Sequence, residues 1–212
     1  MYKVYAFATP NSIKVLIGLE ELNLEYELIG VNVRKGEQKA AEYLARNPNG
    51  KVPVLVDDEA PADDNALAES AAILVYLAER HGKLLPAAGM ARARVFEQLF
   101  FHASGIAPAF GQSGFFQKNA SEHLPLAIDR FQGEANRTVA LLDQVLARQP
   151  YVAGDDYTIA DIAHFGWMWR RTFANVSFEG LPHVARWFDA VAARPAVQRA
   201  IQRAEALVPL QA

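Results

Sequence analysis

Along its first 80 residues the chain alternates two hydrophobic rhythms. "KVYAF" (3–7) is a β-rich run, and "SIKVLIGLEELN" (12–23) then sets Ile13, Leu16, Ile17 and Leu22 at helical spacing. "YELIGVNV" (26–33) predicts a second strand, and "AAEYLARN" (40–47) a short helix stopped by Pro48. "KVPVLVDD" (51–58) predicts a third strand, with a hairpin partner near "NALA" (65–68). "ESAAILVYLAERHG" (69–82) predicts a helix closed by Gly82 as a left-handed C-cap. The order β-α-β-α-β-β-α implies a small mixed sheet with helices packed on it.

After "GKLLPAAGM" (82–90) the strand rhythm stops. Helical patterns follow at about 91–107, 122–148, 158–173, 183–193 and 196–207. The change of period across a segment holding Pro86 and Gly89 marks a boundary, so the expectation is an N-terminal domain over 1–83 and an all-helical domain over 91–212. Within the second, "DDYTIADIAHF" (155–165) sets Thr158 as an N-cap. Asp161 stands three residues on, placed to reach back to the cap's own N–H, and Tyr157 and Ile162 hold the positions of a hydrophobic staple. That device is structural: it satisfies donors at a buried helix start.

Composition narrows the chemistry. Hydrophobic residues make up 51% of the 212 and charged residues 21%, as in an ordinary globular protein. A net charge of −3 without a basic stripe argues against nucleic acid as a partner. The absence of cysteine excludes disulfides, thiolate metal sites and a catalytic cysteine. The five histidines have no metal-ligand spacing, so no metal is expected. No phosphate loop or G-x-S-x-G elbow is present either. No run approaches the length of a membrane span, and "MYKVYAFATP" does not read as a secretory leader, so the expectation is a cytoplasmic protein without a membrane partner.

Two stretches carry candidate chemistry. Pro53, inside "NPNGKVPVLVDD" (47–58), cannot donate to a strand ladder. It fits either an edge strand or a cis Val52–Pro53 bond, which would turn the Val52 N–H and C=O toward a peptide-like ligand. Some 16 residues later, Glu69 and Ser70 stand at a helix start, which is either a plain cap or a place where unpaired N–H groups and the helix dipole favour an anion. Together the two stretches describe a surface that can hydrogen-bond a peptide backbone, accept a carboxylate and pair an amine with Glu69.

With "ATPNSIKV" (8–15), "NPNGKVPVL" (47–55), "ESAAILVYLAE" (69–79) and "YTIADI" (157–162) in register, the chain resembles a cytosolic glutathione transferase. "KGEQ" (35–38), "GQSGFFQKNA" (111–120) and "AIDRFQ" (127–132) are most similar to the bacterial Nu-class and yeast prion-regulator-like branch. The resemblance implies a thioredoxin-like N-terminal domain, an all-helical second domain and a homodimer. It implies glutathione as co-substrate, with the thiol supplied by the ligand. Thr9 is then implied as the hydroxyl donor to the glutathione sulfur and Asn11 as a second donor, with Tyr5 and Ser12 as alternatives. Gln38 and Lys51 are implied at the glycine end, Val52 at the cysteinyl backbone beside Pro53, Glu69 and Ser70 at the γ-glutamyl end, and Arg130 as a cation from the helical domain. The second substrate, an electrophile or a small disulfide, would meet a wall over residues 100–120 that includes Phe115 and Phe116. The competing reading is a glutathione-binding or interaction module without catalysis.

Overall fold

The alternation in the first strand decides how the sheet is covered. In β1 (Tyr2–Ala6) Tyr2, Val4 and Ala6 are buried and the intervening residues half-buried, whereas β3 (Val54–Asp57) is buried throughout. A strand apolar on both faces belongs inside a sheet. The computed structural model, which describes residues 1–61 and 63–208, shows four strands in the order β2-β1-β3-β4, with β2 at Tyr26–Gly30 and β4 at Ala66–Ala68. β1 and β2 run parallel from Tyr2 opposite Tyr26 to Ala6 opposite Gly30; the other pairings are antiparallel, with Tyr5 opposite Val54 and Val54 opposite Ala68.

Among the described residues, the stretch Met1–Lys83 sets three α-helices with the sheet: α1 (Pro10–Glu21), α2 (Ala41–Leu44) and α3 (Ser70–His81). α1 and α3 approach closely at Gly18, where a Cβ would lie 2.7 Å from Leu74 Cδ2. Phe7, Val31, Tyr43, Val52, Val54 and Val56 form a further apolar cluster. Gly82, at φ 62°, is the left-handed C-cap that the sequence predicts. This is the thioredoxin-like arrangement expected of the first domain.

The second unit, Leu84–Ala193, is helical: α4 (Gly89–Phe101), α5 (Ala107–Lys118), α6 (Pro125–Leu146), α7 (Ile159–Trp169) and α8 (Pro182–Ala192). A wide π-helical turn over His102–Ile106 carries α4 into α5. The sequence predicts the helix only to about 107. The widened turn instead accommodates Pro108, which has no N–H to give and whose ring crowds the preceding turn. α7 is the central helix, buried from Ile159 to Met168.

The last helix, α9 (Pro195–Ala206), was expected within the helical domain, but its contacts group it with the first unit. The cause is charge as well as packing. Arg194 pairs with Glu21 at 2.6 Å, and Glu20 receives Arg199 at 2.7 Å and Arg203 at 3.1 Å. Both carboxylates end α1, and Glu20 also accepts the Tyr26 hydroxyl at 3.0 Å. Among the described residues no helix is long and apolar enough to cross a membrane.

Candidate functional site

The turn between β1 and α1 is built by its own hydrogen-bonding needs. Thr9 is extended and caps α1, its Oγ1 accepting the Ser12 N–H at 3.1 Å. Its hydroxyl also bonds Ser12 Oγ at 3.0 Å, and Ser12 Oγ accepts the Phe7 N–H at 3.4 Å. Pro10, at the first helical position, has no N–H to satisfy. The Ile13 N–H closes onto the Thr9 carbonyl at 3.2 Å. The Asn11 N–H therefore stands at the helix start with no partner among the described residues, and the dipole favours negative charge beside it. Thr9 is half-buried and Ser12 fully buried.

Of the two sequence-level alternatives to Thr9, Tyr5 is absorbed in packing. Its ring sits edge-on to Tyr43, with centroids 6.3 Å apart, under the Arg46 guanidinium at 4.8 Å. Ser12 serves the turn from inside, as described. Of the two readings of Pro53, the Val52–Pro53 bond is cis, and β3 lies between β1 and β4 rather than at an edge. Val52 precedes the ladder, which begins at Val54, and its backbone takes no part in the turn and cap bonds around it. The preceding turn is fixed at Lys51, whose carbonyl accepts both the Tyr43 hydroxyl at 2.7 Å and the Asn47 amide at 2.8 Å. The Lys51 side chain is exposed.

Gln38 is brought to this turn by Gly50. At φ +62° Gly50 adopts a left-handed conformation, and a Cβ there would lie 3.3 Å from the Gln38 carbonyl oxygen. Gln38 Oε1 is buried with no hydrogen-bond partner among the described residues. A buried orphan acceptor is uncommon and marks a place where a ligand donor would be welcome.

Glu69 precedes α3 with φ 67°, ψ 109°, a conformation that costs a non-glycine residue about 1–3 kcal/mol and persists only where the surroundings enforce it. Its carbonyl accepts the Ile73 N–H at 2.9 Å, so the N–H groups of Ser70, Ala71 and Ala72 precede the first intrahelical bond. The Glu69 side chain is exposed and Ser70 is buried.

Sequence reasoning missed one residue that joins these parts. Lys14 is 1% exposed on α1; its Nζ donates to Asn11 Oδ1 at 2.8 Å and stands 3.5 Å from Ser70 Oγ. Burial pushes the ammonium down to about 7, opposed by the negative charge of Glu69. The helix starts of α1 and α3 are thus two ends of one polar cluster.

The remaining expected residues lie in the second unit. Arg130 is exposed on α6, four positions before Glu134, whose carboxyl is lowered by the Arg137 hydrogen bond and, more weakly, by the charges of Arg137 and Arg130. Phe116 stacks on Phe131 at 5.4 Å, while Phe115 is exposed and meets Phe116 edge-on. Among the described residues no cluster of side chains could hold a metal ion.

Comparison with known proteins bears on what such a site serves. Residues 1–79 match the model of the glutathione S-transferase N-terminal domain, and 108–195 that of its C-terminal domain. The disulfide-bond oxidoreductase YfcG of Escherichia coli is 37% identical over 208 residues, covering 97% of this chain and 96% of its own. A glutathione transferase family member from Pseudomonas fluorescens pf-5, solved with two glutathione bound, is 38% identical with a TM-score of 0.89, covering 94% of this chain and 92% of that one. The glutathione transferase URE2P6 from Phanerochaete chrysosporium, solved with oxidized glutathione, is 32% identical with a TM-score of 0.89, covering 98% and 97%.

Proposed function

Because the chain belongs to the glutathione S-transferase family, we propose that the polar cluster binds glutathione and makes its thiol a better acid. The protein is a glutathione transferase, and the thiolate of the bound glutathione attacks an electrophilic carbon or a small disulfide. The observation that carries the reading is the link through Lys14, which places the Thr9–Asn11 turn and the Glu69–Ser70 helix start in one cluster.

Glutathione lies along the first unit in an extended form. Glu69 takes the γ-glutamyl amine, while Ser70 and the N–H groups of the first turn of α3 take its carboxylate. The Val52 backbone pairs with the cysteinyl amide as an added strand would. Gln38 Oε1 accepts a donor at the glycine end, and Lys51 pairs with the terminal carboxylate. The sulfur then faces the start of α1. When the sulfur is ionised, Ser12 donates its hydroxyl proton to Thr9 Oγ1, which frees the Thr9 proton for the sulfur; the Asn11 amide supplies a second donor. A free thiol has a pKa of about 8.5, and each unit by which such donors lower it is worth about 1.4 kcal/mol.

With no cysteine in the chain, disulfide reduction needs a second glutathione. The bound thiolate attacks one sulfur of the disulfide, forming a mixed disulfide and releasing one thiolate. A second glutathione thiolate then attacks the mixed disulfide, giving oxidized glutathione and the other thiol. The neighbours bound to two glutathione or to oxidized glutathione support this route. Arg130, exposed on α6, is a further candidate cation for the ligand. A cytoplasmic location follows from the need for a reduced glutathione pool, and exposed Met90, Phe100 and Leu126 give the helical unit apolar surface for a homodimer.

Two assays test the reading: conjugation of glutathione to an aryl halide, and glutathione-dependent reduction of a hydroxyethyl disulfide. Catalysis of either supports it. Tight glutathione binding without either would establish a binding module instead.

A further inference from the structure

Resting on the glutathione reading, we infer that Lys14 is a positioning residue that fixes the rotamer of Asn11, so that its amide can act only as a donor toward the sulfur. An asparagine amide presents an acceptor oxygen and a donor nitrogen on opposite sides, and both ends have nearly the same shape. Nothing intrinsic to Asn11 decides which end faces a ligand. An ammonium has three donors and no acceptor, so a lysine held against the amide selects the oxygen. Lys14 Nζ meets Asn11 Oδ1 at 2.8 Å, which leaves Nδ2 directed away from the lysine.

The lysine has little freedom to do otherwise. It is 1% exposed, three residues from Asn11 on the same face of α1, with Ser70 Oγ 3.5 Å away on α3. Glu69, ahead of α3, is the charged group set against it. Burying an ammonium is costly unless hydrogen bonds and an opposite charge offset the loss of water. A methionine would fill the same volume without that cost, so the charge at position 14 calls for a use. Fixing Asn11 is a use that the 2.8 Å contact supports. Burial also brings the ammonium down to about 7. Above that pH the neutral amine gains a lone pair, can accept from the amide, and no longer enforces one orientation.

The test is a double-mutant cycle read on the ionisation of bound glutathione, followed by thiolate ultraviolet absorbance. Lys14→Met should raise the bound thiol pKa by about one unit, a roughly tenfold loss of thiolate at neutral pH. The loss should fall on kcat and leave the KM for glutathione within about twofold. Asn11→Ala should produce a similar rise, and Lys14→Met added to Asn11→Ala should add little, because the lysine acts through the amide. Equal effects of Lys14→Met with and without Asn11 would overturn the inference, since they would mean that the ammonium acts through its field alone. An unchanged thiol pKa in Lys14→Met would overturn it as well.

Should the variant not fold, the intact protein without glutathione provides the same decision. The Asn11 side-chain amide resonances should titrate with the Lys14 Cε resonance at a common midpoint; an amide indifferent to that titration refutes the link. If wild-type protein neither binds nor ionises glutathione, the glutathione reading itself fails, a result distinguishable from both.

Discussion

Asp161 offers the sharpest test of how the helical unit is held. It occupies the third position of α7, is wholly buried, and accepts the N–H groups of Val152 at 3.0 Å and Thr158 at 2.9 Å and the Trp187 indole at 2.9 Å. Asp161→Ala deletes the acceptor and leaves three buried donors behind. Each unsatisfied donor costs about 1–3 kcal/mol, and partial relaxation brings the expected loss to about 4 kcal/mol. Thr158→Ala, by contrast, removes the cap oxygen that receives the Ala160 N–H at 3.2 Å, worth about 1 kcal/mol. For a chain of this length each kcal/mol moves the melting point by about 2–4 °C, so Asp161→Ala should melt roughly 8–16 °C below wild type. Thr158→Ala should lie only a few degrees below. Calorimetry at pH 7.5, where the carboxyl is ionised, measures both. If the two substitutions cost the same, Asp161 is merely half of a capping box, and the claim that it anchors Val152 and Trp187 as well is refuted.

Other consequences follow from particular contacts. Burial, opposed by those same donors, lifts the Asp161 carboxyl to about 6; the folded protein therefore takes up this proton before the unfolded chain does. This group adds stability as pH falls from about 6 toward 4, and urea titrations should show that increment missing in Asp161→Asn. At Gly114 a Cβ would stand 2.1 Å from Phe173 Cε1, so Gly114→Ala should cost about 1–3 kcal/mol by forcing the ring aside. Thermal melts of Gly114→Ala combined with Phe173→Ala should fall short of the summed losses. Glu20→Gln should loosen α9 by about 1 kcal/mol, because Arg199 and Arg203 are half exposed. A penalty that persists in 1 M salt would contradict an ionic origin.

Much of this architecture is legible in the chain because it follows from local rules. The Thr9 cap, the Gly82 stop and the Thr158–Asp161 box need only the residues within one turn of them. Pro53 left two readings open because whether a strand lies at an edge depends on pairing, which β4 settles by lying outside β3. Lys14 is illegible for a related reason: between Ile13 and Val15 it reads as a polar interruption facing water, and its burial comes from tertiary packing around α1. The helix through Pro108 was hidden because its cost is absorbed by a π turn without a sequence signature. Chain order groups α9 with the helical domain, whereas Arg194 and Arg199 answer carboxylates more than 170 positions earlier.

On the proposed function, the start of α1 acidifies a sulfur that the protein does not itself contain. The most direct measurement is a pH titration of the thiolate absorbance of glutathione bound to wild type, to Thr9→Val and to Asn11→Ala. The expected pKa in the wild-type complex lies at least one unit below that of free glutathione, with part of the shift lost in each variant. A bound thiol that ionises at the free value, or a depressed value untouched by either substitution, would contradict it.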